Sequence, residues 1–183
     1  MIPPIEAALA VRKSWPLQKD CDAFYGNPRG KAGQASRMWE AANLILISPP
    51  WPLFYAGKPA KLRVHRKCSD AFMSWFTSLW ANAGKDAKVI HDWGMDATGG
   101  AYNFRLMRGG SSLSMHSWGC AVDMDVPRNG FHDNTPNFAK LRKEVVDPFL
   151  ALGGVWGGDW DGDHDTLDER ACDGMHFQFA RLS

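Results

Sequence analysis

The sequence predicts an α+β fold in which a small antiparallel sheet is flanked by helices. Segments with helical and with strand periodicity are mixed along the 183 residues, without the regular strand–helix–strand order of a parallel sheet. A hydrophobic share of 45% is sufficient for one well-packed core. We therefore expect residues 1–183 to form a single domain.

The helices are predicted from apolar side chains spaced three to four residues apart and from residues typical of helix ends. Ser69 is predicted to cap a helix that ends near Ala83. The proline-rich residues 48–52 (SPPWP) stop any helix that precedes them. The predicted helices cover residues 5–13, 34–43, 69–83 and 138–153, the last ended by Gly153 and Gly154.

The strands are predicted from alternation of apolar and polar side chains. Residues 120–126 (CAVDMDV) place Val122, Met124 and Val126 on one face, and Asp123 and Asp125 on the other. Residues 175–181 (MHFQFAR) alternate in the same way, with His176 opposite the apolar face. Two further strands are predicted at residues 61–67 and, inside a glycine-rich stretch, at residues 104–107.

Composition and charge exclude several classes of protein. The net charge is +1 and the basic residues are scattered, which argues against a nucleic-acid-binding surface. No apolar run approaches the roughly 20 residues of a membrane span, and the first residues lack the order of a signal peptide. We expect a monomer that is made in the cytoplasm. Four widely separated cysteines are predicted to be free thiols: Cys21, Cys68, Cys120 and Cys172.

Three potential metal ligands lie in or beside the two best-patterned strands. If these strands pair in one sheet, Asp123 and His176 can meet on its polar face. His116 precedes Asp123 by seven residues, and a turn at Gly119 can bring it to the same side. Two histidines and one carboxylate with an open fourth position are typical of a catalytic zinc site. We therefore predict a zinc site made by His116, Asp123 and His176.

A hydrolytic zinc site also needs a base and a cation. Asp173, three residues before His176, is predicted to take the proton of the attacking water. Arg105 and Arg108 are the candidates for holding the developing oxyanion. Asp125 is a rival ligand, for which we predict a supporting or solvent-exposed position. The other histidines have no matched partners and are predicted to be structural or exposed: His65, His91, His132 and His164.

A second metal site is a hypothesis for the acidic segment 158–170 (GDWDGDHDTLDER). Carboxylates at alternate positions suit a calcium loop: Asp159, Asp161, Asp163 and Asp165. The match to an EF-hand is imperfect, because counting from Asp159 gives His164 at the sixth position and Arg170 at the twelfth. A solvated acidic loop is the alternative.

These motifs resemble a family of peptidoglycan zinc peptidases. The run from Ser114 to Asp123 resembles the SxHxxGxAxD signature of the VanY-type D-alanyl-D-alanine carboxypeptidases and of phage L-alanyl-D-glutamate endopeptidases. Three further segments agree in order: YNFR at 102–105, WGGDW at 156–160 and DGMHF at 173–177. The resemblance covers roughly residues 60–181 and implies the hedgehog/D-Ala-D-Ala peptidase fold, with residues 1–55 as an N-terminal elaboration.

The resemblance also implies a role for each matched residue. It implies zinc on His116, Asp123 and His176, with Asp173 as the general base. Arg105 would hold the substrate carbonyl or oxyanion, and Ser114 would bind substrate beside the metal. The implied partner is a peptidoglycan stem peptide, and the implied cofactor is zinc.

One departure from the carboxypeptidase pattern favours an endopeptidase. Those enzymes typically carry Glu, often followed by Pro-Trp, where this chain has Asp173-Gly174-Met175. We expect an L-alanyl-D-glutamate endopeptidase that acts on the cell wall as a phage endolysin after release through a holin pore. The alternatives are a D-alanyl-D-alanine carboxypeptidase and a hedgehog-like module that binds zinc without turnover. A lysostaphin-type peptidase needs an HxH ending, which His176-Phe177-Gln178 does not provide.

Overall fold

The computed structural model describes residues 14–182, so the helix predicted over residues 5–13 lies outside the described residues. The α-helices are α1 (Cys21–Tyr25), α2 (Arg37–Asn43), α3 (Ser69–Asn82), α4 (Ala87–Trp93), α5 (Asn137–Lys140) and α6 (Asp147–Leu150). The strands are β1 (Leu44–Ile47), β2 (Phe54–Tyr55), β3 (Lys58–Pro59), β4 (Leu62–His65), β5 (Thr98–Gly100), β6 (Ala121–Met124), β7 (Val155–Trp156) and β8 (His176–Gln178). None of the helices described has the length and apolar character needed to cross a lipid bilayer.

The largest sheet has four strands in the order β5–β6–β8–β7, and each neighbouring pair is antiparallel. Two smaller antiparallel pairs join β1 to β4 and β2 to β3. This mixture of helices with small antiparallel sheets confirms the predicted α+β class. At the centre of the large sheet, Asp123 on β6 lies directly opposite His176 on β8. The predicted strand pairing is thus confirmed.

The two faces of β8 have different surroundings, as its alternating sequence predicts. Phe177 points into an aromatic cluster, with ring centroids 4.7 Å from Trp75 on α3 and 5.2 Å from Phe149 on α6. His176 and Gln178 point to the opposite side, where the potential metal ligands lie. The aromatic face therefore fixes the sheet on the helices, and the other face is free to carry polar side chains.

The described part of the N-terminal segment packs onto the last strand. The Tyr25 hydroxyl donates a hydrogen bond of 2.6 Å to the carbonyl of Phe179. The ring of Trp15 lies 4.5 Å from that of Phe179, and Leu17 forms a bridge with Arg181. These contacts join both ends of the described chain to one core. The division into residues 1–55 and 60–181 stays a prediction.

Two predicted elements are wrong in position. Ser69 is the first residue of α3 and not its cap, because Cys68 occupies the cap position and the Ser69 hydroxyl donates to the Arg66 carbonyl. The strand of the glycine-rich stretch is β5, whereas residues 104–107 form only a single bridge from Leu106 to Leu113. Strand β1 was not predicted, although its four apolar residues (LILI) precede the prolines directly.

The helix predicted over residues 138–153 is broken into three parts. A π-helical turn, Arg142–Val146, separates α5 from α6. Pro148 lies in the first turn of α6, where its missing N–H cannot donate to the Glu144 carbonyl. Periodicity alone did not indicate this break, because a π-helical turn keeps apolar residues such as Val145 and Val146 buried.

The alternation predicted for residues 120–126 ends at Met124. Asp125 has a positive φ of 45°, so the backbone turns away from the sheet after β6. As a result Val126 is 37% exposed instead of sharing the apolar face. Asp125 is buried in an ion pair of 2.6 Å with Arg128, away from the potential metal ligands. Asp125 is therefore neither a member of the ligand group nor exposed to solvent, and its predicted supporting role stays a prediction.

Candidate metal centre

The three predicted metal ligands lie together on the polar face of the large sheet. Asp123 and His176 come from the paired strands β6 and β8. His116 comes from a short 3-10 helix, Met115–Trp118, that ends at Gly119 with φ of 66°. A side chain at Gly119 would lie 2.9 Å from the backbone nitrogen of His65, so the turn toward His116 requires glycine.

Hydrogen bonds to the outer ring atoms fix which nitrogen of each histidine faces the centre. His116 Nδ1 lies 2.6 Å from the carbonyl of Ala101, which can only accept, so this nitrogen carries the proton. The Gln178 amide donates to the Ala180 carbonyl, and its oxygen therefore faces His176 Nε2 at 3.0 Å. The lone pairs of His116 Nε2 and His176 Nδ1 are consequently directed at the centre.

The three ligand atoms form an almost equilateral triangle. His116 Nε2 lies 3.1 Å from His176 Nδ1 and 3.2 Å from Asp123 Oδ1, and the third side is 3.1 Å. Tetrahedral zinc with bonds of about 2.0 Å separates its ligand atoms by about 3.3 Å. One cation at the centre would satisfy three acceptors that otherwise face one another. The donor set and its spacing therefore fit a zinc ion with one position left for substrate.

The electrostatics of the cluster suit a cation. Burial alone would raise the pKa of Asp123, but when His116 and His176 are protonated, their hydrogen bonds and positive charge hold this pKa well below its usual range. Burial alone would lower the pKa of His176, whereas its contact with the Asp123 carboxylate raises this pKa. Asp123 is thus a permanent anion in the site.

Asp173 lies beside the cluster with an unused acceptor. Its Oδ1 is buried and accepts no hydrogen bond from the residues that the structure describes. Burial raises the pKa of this carboxyl above its usual value, although the attraction of His176 opposes the shift. The backbone of Asp173 is held on both sides, by its N–H to the Gly157 carbonyl and by a bridge to Phe131. Asp173 therefore has a buried acceptor in the cavity beside the cluster, and its role as the base stays a prediction.

Arg105 is positioned by a clamp that the sequence reasoning missed. The Ser117 hydroxyl accepts from the Arg105 N–H at 3.0 Å and donates to the Arg105 carbonyl at 2.9 Å. The Ser114 N–H also donates to the Arg105 carbonyl. Ser114 lines the same cavity as Arg105, and its contact with substrate stays a prediction.

Two cavities meet at the metal-ligand cluster. The first, of about 260 Å³, is lined by Asp123, His176 and Asp173 together with Phe131 and Trp160. The second, of about 210 Å³, is lined by His116 and Asp123 with residues 99–103. Arg105 and Asp123 line both cavities. A chain that passes through both would therefore cross the centre of the cluster.

Residues 108–179 match the family model described as D-alanyl-D-alanine carboxypeptidase. The match confirms the resemblance to this family of zinc peptidases. It supports a hydrolase of the peptidoglycan-peptidase type. The dependence of this chain on zinc stays a prediction. No curated protein and no solved structure matches the chain significantly.

The segment that matches the family model also contains the acidic loop. Asp159, Asp161 and Asp163 offer oxygens within 4.8 Å of one another, whereas Asp165 lies outside this group. Asp159 is paired with Arg142 at 2.8 Å, and Asp163 accepts from the backbone of Asp165. Because the protein itself supplies partners for these carboxylates, calcium binding stays a prediction.

The remaining histidines and cysteines of the described chain are structural or exposed, as predicted. His65 is buried and hydrogen-bonded to the Tyr25 carbonyl, and His91 is exposed beside Asp96. Both His132 and His164 are exposed. All four cysteines are buried free thiols.

Gln178 is a further residue of the candidate metal centre that the sequence reasoning missed. It lies two residues after His176 on the same face of β8, and this period-two spacing could have revealed it. We expect Gln178→Met to weaken zinc binding about 10- to 100-fold, because the apolar side chain no longer fixes the His176 ring. Competition with a chromogenic zinc chelator measures this affinity. The matched control is Gln34→Met on the surface, and equal affinities of the two variants would contradict the role of Gln178.

Proposed function

We propose that the protein is a peptidoglycan endopeptidase that hydrolyses the L-Ala–D-Glu bond of stem peptides and acts as an endolysin. The observation that supports this proposal is the pair of cavities that meet at the ligand cluster and share Arg105 and Asp123. A carboxypeptidase needs space for only one residue beyond the scissile bond. An endopeptidase needs a groove that continues in both directions, and the two cavities that share Arg105 and Asp123 supply one.

The residues of the cluster supply the parts of an amide hydrolysis. His116, Asp123 and His176 would hold zinc, which polarises a carbonyl and lowers the pKa of water to about 7. Asp173 takes a proton from the water that adds to the amide carbon. The Arg105 guanidinium, at the junction of the cavities, stabilises the negative oxygen that forms. Asp173 then returns the proton to the amine nitrogen as the carbon–nitrogen bond breaks.

A second candidate is D-alanyl-D-alanine carboxypeptidase action. The description of the matching family model favours it. The same residues would perform the same steps on the terminal peptide bond. The two candidates differ only in how much substrate lies in the cavity on the amine side.

Mass spectrometry of the soluble products from purified peptidoglycan distinguishes these candidates. We expect the zinc-loaded protein to release stem-peptide fragments that begin at D-Glu, and a chelator-treated sample to release none. Release of free D-Ala alone would instead identify the carboxypeptidase. A protein that binds zinc and releases nothing would be the non-catalytic module.

A further inference from the structure

Arg108 is a cation in the larger cavity that the mechanism above does not use. It lines this cavity together with Arg105 and Asp173. Four other arginines form ion pairs with carboxylates: Arg29, Arg63, Arg128 and Arg142. Within residues 14–182, no such pair is formed by Arg105 or Arg108. The larger cavity therefore contains two guanidinium groups whose charge no described carboxylate neutralises by direct contact.

The two arginines occupy different places. Arg105 lines both cavities and so lies at the scissile position. Arg108 lines only the larger cavity, where its guanidinium carbon lies 5.4 Å from the ring centroid of Phe131. Stacking on an aromatic face orients a guanidinium and leaves its N–H donors free at the edge. Arg108 is therefore presented for a planar anion.

Phe131 also connects Arg108 to the base. Phe131 forms an antiparallel bridge with Asp173, and the next residue, His132, donates a backbone hydrogen bond of 2.7 Å to Cys172. Backbone pairing thus joins the residue whose ring lies beneath Arg108 to the residue that carries the Asp173 carboxylate. Because Asp173 returns its proton to the leaving amine, the cavity that contains Arg108 accommodates the residue that supplies this amine.

We infer that Arg108 binds the carboxylate of the substrate residue whose amine leaves, and that it makes the enzyme selective for stem peptides in which this carboxylate is free. This inference rests on the proposed function, because it assigns the amine side of that reaction. A guanidinium binds a carboxylate through two parallel charge-assisted hydrogen bonds. A carboxamide at the same place has no charge and only one acceptor atom, so it binds Arg108 less tightly.

The test uses two synthetic stem peptides that differ only in a carboxylate or a carboxamide on the residue after the scissile bond. We expect zinc-loaded wild-type protein to prefer the free acid about 10- to 100-fold in kcat/KM. Arg108→Gln should lose this preference through a lower kcat/KM for the free acid. The control is Arg37→Gln, a change at an exposed arginine on α2 that should keep the preference.

Calorimetric binding of both peptides to the zinc-loaded Asp173→Asn protein separates failure of this inference from failure of the proposed hydrolysis. If the protein binds the free acid more tightly, and this preference is lost when Arg108→Gln is added, the role of Arg108 is supported. If the wild-type protein cleaves neither peptide, the proposed hydrolysis is overturned, but the binding result for Arg108 still stands. Equal binding of the two peptides, or a preference that survives Arg108→Gln, would overturn the role of Arg108.

Discussion

Replacement of Asp173 by asparagine is expected to lower kcat about 10²- to 10⁴-fold, which is the usual contribution of a general base. The change keeps the size of the side chain and removes the acceptor that would take the proton of water. Asp173 contributes no atom to the ligand triangle, so zinc should stay bound with unchanged stoichiometry. Initial rates on a synthetic stem peptide, with zinc content measured on the same sample, check both expectations.

The matched control for this experiment is Asp70→Asn. Asp70 is an exposed aspartate in the first turn of α3 and should leave the rate unchanged. If Asp173→Asn lost zinc in parallel with activity, Asp173 would be a metal ligand and the assignment of the base would be wrong. If it kept both, another group would have to accept the proton.

Replacement of His116 by alanine is expected to abolish the stabilisation of the protein by zinc. A ligand present at about 1,000 times its dissociation constant stabilises the folded state by about 4 kcal/mol. In the wild-type protein, zinc would satisfy three acceptors that lie 3.1–3.2 Å apart. In His116→Ala two acceptors remain, and the free energy of unfolding should be the same with and without zinc. Urea unfolding without zinc, and with zinc at about 1,000 times its dissociation constant, measures this difference in the free energy of unfolding.

Each variant is compared with and without zinc. Any loss of stability that comes from the missing imidazole itself is present in both measurements and cancels in the difference. The control is His91→Ala, since His91 is an exposed histidine outside the ligand triangle. This variant should keep the full zinc-dependent gain. A zinc-dependent gain that persists in His116→Ala would place the metal elsewhere in the protein.

The metal-ligand cluster could be predicted from the sequence because two short strands alternate cleanly. The parity of residues 120–126 and 175–181 placed Asp123 and His176 opposite their apolar faces, and the structure pairs these two residues. Gly119 indicated the turn that returns His116 to the same side. Periodicity is informative here because one face of each strand packs against an aromatic core.

The groove around the cluster could not be predicted, because it depends on contacts between segments that are distant in the chain. The position of Arg108 over Phe131 and the bridge from Phe131 to Asp173 follow from tertiary packing. The clamp of Ser117 on Arg105 likewise joins two loops. The break at residues 142–146 depends on a local geometry that apolar spacing does not reveal.

Zinc K-edge X-ray absorption on the zinc-loaded protein is the most direct test of the central claim, that His116, Asp123 and His176 hold a catalytic zinc ion. We expect a four-coordinate site with two imidazole nitrogens and oxygen ligands at about 2.0–2.1 Å, and no sulfur. A sulfur shell at about 2.3 Å would assign the metal to the buried cysteines and contradict the account.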